Sequence, residues 1–420
     1  MVENKTNIDN QLSKHMRVLV LRSCKHIFEK TDYQSYRPVQ GDNTGNDLWL
    51  MGLISTISGT NCTVEYQDRH MDPEYINQNY DMCIKPEANM FSEKFAHYMD
   101  YHVKQYSKIS IPIHVIAVGA QAKNYDELDD LAERIKPSAE RFIESIDRTG
   151  GLFALRGRFT EALFKKLGYH KAYVTGCPSL FQLGPLNISK QQDVDRNMLL
   201  TAFNGNLHLA YSLIKKNKGV YFDQSIFFDT LYGETKCTDY SKMLSKYGLY
   251  GTRLLMDKKV QLFLDMPDWM YYLKSNGFNF SIGTRIHGNI MPILSGIPAL
   301  VVPPDARVRE MCDFFDIPTI SYKKAIKGDL YDLYNQTDYS MFNTNFQKKL
   351  DYYINFLKKI GIEYNPNSLF FTDVIHDDYS LPLGYEDYKA NMDIVRVKKK
   401  NELYYQMKEL GKSLMGFNHL

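Results

Sequence analysis

The sequence predicts an α/β protein of two doubly wound, Rossmann-like domains facing each other across a cleft. Three observations lead there. The chain has 420 residues, too many for one core, since single cores stop growing at roughly 250–300 residues. Short apolar runs alternate with helical stretches along most of its length, the pattern of a parallel sheet covered on both faces. The alternation pauses at the polar, turn-forming LGPLNISKQQDVDRN (183–197) and then restarts. The expected division is a tail over 1–15, an N-terminal α/β domain over 16–190, a C-terminal α/β domain over 191–362 and a helical extension over 363–420.

The elements follow in order. RVLVLRS (17–23) is a compact apolar run of the kind found in buried parallel strands. The turn-rich RPVQGDNTGND (37–47) leads into a helix at LWLMGLISTIS (48–58). CTVEY (62–66) and IHVIAVGAQ (113–121) read as strands, the second ending in a glycine loop. DELDDLAERIKPSAERFIESI (126–146) is helical, with an interruption expected at Pro137. Strand GLFALRG (151–157), helix FTEALFKKLGY (159–169) and strand AYVTGCP (172–178) complete the first domain. In the second, strands are expected at 198–203, 219–224, 260–265, 278–283 and 298–303. Helices are expected at 207–217, 266–276, 285–295 and 308–317, and the amphipathic 344–362 closes the unit.

Composition narrows the function. Apolar residues make up 44% and charged residues 24% of the chain, which suits a soluble globular protein. A formal net charge of +2, from 51 basic against 49 acidic residues, gives no support to bulk nucleic-acid binding. Six cysteines lie without paired spacing, so neither a zinc site nor a disulfide framework is read. No His/Asp cluster has metal-ligand spacing. The N-terminal MVENKTNIDNQLSKHM has no apolar signal core, and IPIHVIAVGA (111–120) is far short of the ~20 residues a membrane span needs. The expectation is a cytoplasmic protein without an integral membrane segment. The basic run Lys398–Lys400 on the last helix is either a solvated face or a peripheral contact with anionic lipid at the inner face of the membrane.

In open α/β sheets ligands bind beyond the carboxyl ends of the strands, so the loops after strands carry the functional question. SIGTRIHGNIMPILSGIPALVVPP (281–304) puts Arg285 and His287 where a strand turns into an apolar helix. The free N–H groups and dipole of that turn attract anions, and a cation there is unfavourable by ~0.3–1 kcal/mol unless something negative binds nearby. Arginine suits a carboxylate or phosphate through its bidentate fork. Gly288 and Gly283 allow close backbone approach. The bland alternative is a local ion pair for Arg285 and a backbone cap for His287.

The longer run SIGTRIHGNIMPILSGIPALVVPPDARVREMCDFFDIP (281–318) resembles the polysaccharide pyruvyl transferase family. Arg285-Ile286-His287, Ser295-Gly296-Ile297-Pro298 and Asp305-Ala306-Arg307 match its motifs in order and spacing. LFALRGRFTEALFKKLGYHKAYVTGCPSL (152–180) resembles the family's strand–Arg–helix–strand segment, with Arg156 at its arginine, although Cys177-Pro178 stands where the family usually has Asp-Pro. VGAQ (118–121) resembles its glycine-rich loop. DNTGND (42–47) resembles its Asn-x-Gly-Asp motif, with Asn46 at the usual Asp position and Asp47 next to it. The resemblance covers roughly residues 40–320 in patches and implies a glycosyltransferase-B-like architecture.

It further implies transfer of a pyruvyl group from phosphoenolpyruvate to sugar hydroxyls, forming a pyruvate ketal on a polysaccharide or its precursor. No cofactor is implied, since phosphoenolpyruvate is itself the donor substrate; the other partner is a sugar acceptor, lipid-linked or polymeric. Arg285, Arg156, Ile286 and Gly288 would hold the donor, a small trianion. Arg158 is a weaker candidate, more in keeping with a surface ion pair. His287 is proposed as general acid or as a phosphate ligand, its pKa set by neighbouring anions against the helix dipole. Asp42 or Asp47 would orient or deprotonate the acceptor, against the alternative of turn and cap roles. Asn43, Gly45, Asn46 and Gln121 would contact it. His208 and Asn204–Asn206 fit turn or core roles, and Trp269, Tyr271 and Tyr272 fit the core. The rival reading is a nucleotide-sugar-dependent glycosyltransferase or epimerase, with Asp223 or Asp265 as the ribose-binding carboxylate. A third is a protein that binds an anion or carbohydrate without catalysis.

Overall fold

The computed structural model describes residues 15–28, 43–59, 61–67, 70–231, 239–371 and 385–416. Asp42 lies outside the described residues, as do Cys237 and the tail up to residue 14. The first sheet contains β1 (Met16–Val20), β2 (Cys62–Tyr66), β3 (Met82–Pro86), β4 (Ile113–Val118), β5 (Phe153–Leu155) and β6 (Tyr173–Val174), in the order β2-β1-β3-β4-β5-β6. The second contains β7 (Leu200–Asn204), β8 (Lys218–Asp223), β9 (Val260–Leu262), β10 (Phe280–Gly283) and β11 (Ala299–Val301), in the order β11-β10-β7-β8-β9. Every pairing is parallel. The order reverses once in each sheet, between β1 and β3 and between β7 and β10. Such switch points open a crevice at the strands' carboxyl ends. Two Rossmann-like domains therefore face each other.

Helices α1 (Gly45–Ile57), α2 (Leu128–Asp147) and α3 (Arg158–Lys166) cover the first sheet. Helices α4 (Ile286–Leu294) and α5 (Ala306–Phe315) follow β10 and β11. Strand β3 was not anticipated. Its MCIKP is short and carries a lysine and a proline, yet all five residues are buried, and Lys85 Nζ is 2.9 Å from Glu87 Oε1. Helix α2 runs through Pro137 without the expected break. Leu131, Ile135, Ala139, Phe142 and Ile146 are all buried along it. At ~1.5–3 kcal/mol for each large apolar side chain, that burial outweighs the ~3 kcal/mol cost of an interior proline.

One hydrophobic cluster runs through both domains, from Val18 and Ile84 through Trp49 and Ile54 on α1 to Ile290 and Met291 on α4 and Phe315 on α5. The cleft thus has a packed floor. Helix α6 (Ser340–Lys359) does more than close the second domain: Tyr353 stacks on Phe181 at 5.1 Å and its hydroxyl meets Thr56 Oγ1 at 2.7 Å, both in the first. The segment after it stays there, Asn365 Nδ2 donating to Ser58 O at 2.7 Å. Helix α7 (Tyr385–Gly416) returns to the second domain, where the Tyr388 hydroxyl donates to Leu255 O at 2.8 Å. The described residues after 340 therefore contact both units. No helix among the described residues is long and apolar enough to cross a membrane.

Candidate active site

The switch point of the second sheet sets the frame. Asn204 ends β7, and Gly283 ends the adjacent β10. Asn204 Oδ1 accepts the Arg285 backbone N–H at 3.0 Å. Asn289 Nδ2 donates to Arg285 O at 2.8 Å, and Asn289 Oδ1 accepts from Ser281 Oγ at 3.0 Å. These amides are fully buried and pin the turn from both sides. Helix α4 begins one residue later than the sequence suggested. Arg285 is its N-cap residue in extended conformation, with no side-chain cap. Its guanidinium is thereby free of the helix and reaches Ser225 Oγ. Ile286, His287 and Gly288 form the buried first turn.

Beside this turn lies a cavity of about 200 Å³ lined by Arg156, Arg285, Arg307 and His287, with Asn43, Asn46 and Gln224. Arg156 comes from the loop after β5 in the first domain. It is 1% exposed, and its Nε and Nη2 have no hydrogen-bond partner. Arg307 Nε is likewise unpartnered, and Asp305 Oδ2 stands 3.7 Å from its Nη2. Gln224 Oε1 is buried without a partner. Buried cations with open donors are costly unless an anion completes them. The carboxyl end of β4 helps to shape this wall. Ala117 has a φ of 70° at a register shift between Ile116 and Val118. The bulge re-aims the following loop, so that a Cβ on Gly119 would stand 3.2 Å from Arg156 Cδ and 3.6 Å from Arg307 Cγ.

His287 is 8% exposed. Burial pushes its pKa well below the ordinary value, and the Arg156 and Arg307 guanidinium groups push it the same way. The ring is neutral in the ligand-free site, opposite to the charged state an anion would impose. Cys177 Sγ lies 3.8 Å from its Nε2. Behind the arginines sits Glu310, 1% exposed, accepting from Thr160 N at 2.9 Å and Thr160 Oγ1 at 2.7 Å. Burial raises its pKa from 4.5 to about 7, against the opposing pull of Thr160 and of Arg156 and Arg307. A carboxyl whose folded pKa is raised contributes stability below its unfolded pKa and loses it as pH climbs through the folded value. A shift of this size is on the order of 3 kcal/mol. Between pH 4.5 and 7 Glu310 should therefore draw stability down as pH rises, against the opposite trend set by the neutral rings of His102, His114 and His287, whose pKa values burial lowers. Glu310→Gln should make the slope of melting temperature against pH more positive across that range. An unchanged slope would show that Glu310 is not the titrating group.

The first domain brings Asn43, Gly45 and Asn46 to the cavity region. A Cβ on Gly45 would stand 2.6 Å from Gln224 Nε2 and 3.0 Å from His287 Cβ, and one on Gly288 would stand 2.8 Å from Gln224 Oε1. Both glycines are close-approach positions that let α1 and α4 meet. Asp47 is 3% exposed and lies against His26, with Nε2 to Oδ1 at 3.0 Å, outside the cavity lining. Gln121 is also outside it, accepting from Asn89 Nδ2 at 3.0 Å. Arg158 pairs with Glu161 at the surface at 2.7 Å. Asn206 caps the helix at 207–214, and His208 Nδ1 meets the Tyr322 hydroxyl at 2.9 Å. Trp269 is buried against Phe222.

Sequence reasoning missed Gln224, Ser225 and Glu310, and did not assign Arg307 a role although it stands in the matched Asp-Ala-Arg. For Gln224 the usable signal was its place at the carboxyl end of a strand. Asp223 Oδ2 accepts the N–H groups of Ser225, Ile226 and Phe227 at 3.2, 2.8 and 2.7 Å, which fixes the loop that presents Gln224 and Ser225.

Three solved structures are similar in outline. A protein described as a UDP-N-acetylglucosamine 2-epimerase from Listeria monocytogenes is 11% identical, with 85% of this chain and 99% of that one covered and a TM-score of 0.42. The S. aureus MnaA–UDP complex is 9% identical over 85% and 94%, with a TM-score of 0.39. The glycotransferase of kitacinnamycin is 9% identical over 87% and 99%, with a TM-score of 0.35. No curated protein matches the chain by sequence. The family model for polysaccharide pyruvyl transferase matches residues 43–306, a span that opens at the cavity-lining Asn43, takes in Arg156, Arg285 and His287, and ends beside Arg307. The chain belongs to the polysaccharide pyruvyl transferase family.

Proposed function

We propose that the chain transfers the pyruvyl group of phosphoenolpyruvate to two hydroxyls of a sugar, releasing phosphate and leaving a cyclic ketal on a polysaccharide or its precursor. The observation that carries this reading is the cavity of about 200 Å³ with guanidinium groups from Arg156, Arg285 and Arg307 around it, two of them with open donors. A three-carbon phosphoester with one carboxylate and one phosphate fits that size and charge. Sites for drug-sized ligands run to ~300–1,000 Å³, so the described cavity suits a nucleotide less well. Of the rival carboxylates, Asp265 caps the helix at 266–275, and Asp223 holds its own loop through Oδ2 while its Oδ1 is buried without a partner.

In this reading the arginines clamp the donor and His287 protonates its methylene carbon. Burial and, after it, the guanidinium groups keep the ring neutral in the empty site; the charge of the donor offsets the guanidinium groups, so binding raises the pKa of the acid. One sugar hydroxyl adds to the resulting oxocarbenium-like carbon and loses its proton. The bond from that carbon to the phosphate oxygen breaks, and the second hydroxyl closes the ring. Of the two hydroxyl protons lost, one balances the new methyl group and the other leaves with hydrogen phosphate. Asp47, with His26 against it, is the described carboxylate nearest in sequence to the cavity-lining Asn46 and is proposed to order the acceptor side.

The test is incubation with phosphoenolpyruvate and a panel of sugars, following phosphate together with product mass. One phosphate for each pyruvyl ketal is expected. In a parallel incubation with nucleotide sugars, transfer or epimerisation of the sugar would establish the rival class, and phosphoenolpyruvate binding without phosphate release with any acceptor would establish a binding protein.

A further inference from the structure

We infer that Cys177 is a positioning residue for His287, holding the imidazole so that Nδ1–H is the group presented to the donor. This rests on the proposed role of His287, but its test does not. Cys177 follows β6 at the junction of the domains, fully buried. Gly176 before it has a φ of 79°, and a Cβ there would stand 2.4 Å from Phe314 Cε1 and 2.6 Å from Phe315 Cζ. That left-handed turn, open only to a residue without a side chain, delivers the sulfur of the first domain to the ring of the second.

The hydrogen bonds set a direction. Ser179 Oγ donates to Cys177 Sγ at 3.2 Å, which occupies sulfur lone-pair density and leaves the thiol hydrogen for another acceptor. The His287 Nε2 at 3.8 Å is within reach of it. A thiol donating to Nε2 requires that nitrogen to be bare, and the neutral ring then carries its hydrogen on Nδ1. The other charged groups around the ring are cations: Arg156 from the loop after β5, Arg307 from α5, and Arg285 from the turn before α4. None of them can accept from Nε2–H, so none competes for the opposite tautomer. When the ring charges, Nε2–H can donate to the same sulfur, and Nδ1–H is the remaining donor on a ring that lines the cavity.

The tautomer is readable without substrate. In the intact protein labelled with nitrogen-15 histidine, the His287 resonances, assigned by their loss in His287→Gln, should show Nδ1–H in the wild type and in Cys177→Ser. They should shift to mixed tautomers in Cys177→Ala. In turnover, Cys177→Ala should lower kcat at least tenfold with the donor KM within twofold, and Cys177→Ser should recover most of the loss. Nε2–H in the ligand-free wild type would overturn the inference whatever the enzyme's substrate proves to be. The same mixture of tautomers in wild type and Cys177→Ala would also overturn it. Absence of any ketal product with an Nδ1–H tautomer intact would instead count against the proposed reaction alone.

Discussion

His287→Gln abolishes phosphate release from phosphoenolpyruvate while the protein stays folded and still binds its donor. The expected loss in kcat is ~10²–10⁴-fold, the usual contribution of a positioned general acid. Three separations make this outcome informative. The guanidinium groups of Arg156, Arg285 and Arg307 remain in place, so the donor should still raise the melting temperature of the variant, as any ligand of the native state does. The ring packs where α1 and α4 meet, with Gly45 beside its Cβ, and glutamine has no bulk that would force them apart. The ring is also neutral in the empty site, so its removal takes away no structural charge. Turnover within tenfold of the wild type would exclude His287 as the acid and reduce it to a wall of the cavity.

How much of this was legible in the sequence depends on what each feature needs. The strands around the site are fully buried runs, and burial on both faces writes itself as continuous apolar sequence; β4, with six buried residues in six, is the plain case. Strand β3 escaped because an internal ion pair between Lys85 and Glu87 made its end look polar. Arg285 and His287 stood out because two basic residue types at the start of an apolar helix conflict with the helix dipole, and the structure places both on the cavity wall. Gln224 and Cys177 carry no such conflict. An amide after one strand and a thiol after another are ordinary residues until the fold brings Gly288 against the first and His287 against the second. The charge state of His287 was equally out of reach, because it depends first on burial that only the packed fold supplies and then on Arg156, over a hundred residues away in the sequence and supplied by the other domain.

Arg156→Met separates binding from stability, because the two should move in opposite directions. The empty wild-type protein buries the Arg156 guanidinium with Nε and Nη2 unpartnered, in the field of Arg307. Replacing a buried, incompletely paired charge by an apolar side chain of similar length is commonly neutral or stabilising. The ligand-free variant should therefore melt at the same temperature as the wild type or a few degrees higher. Donor affinity should collapse. Two charge-assisted hydrogen bonds at ~1.5–3 kcal/mol each correspond to a loss of roughly 10²–10⁴-fold, so phosphoenolpyruvate should no longer shift the melt at concentrations that saturate the wild type. Arg156→Lys should recover little of that affinity, since a point charge cannot offer the planar fork. A variant that melts much earlier than the wild type, with donor affinity intact, would mean that the buried guanidinium serves the fold, stacked at 6.0 Å over Trp49. In that event the cavity would belong to Arg285 and Arg307 alone. The sign of the stability change in the absence of ligand decides between these two uses of one residue.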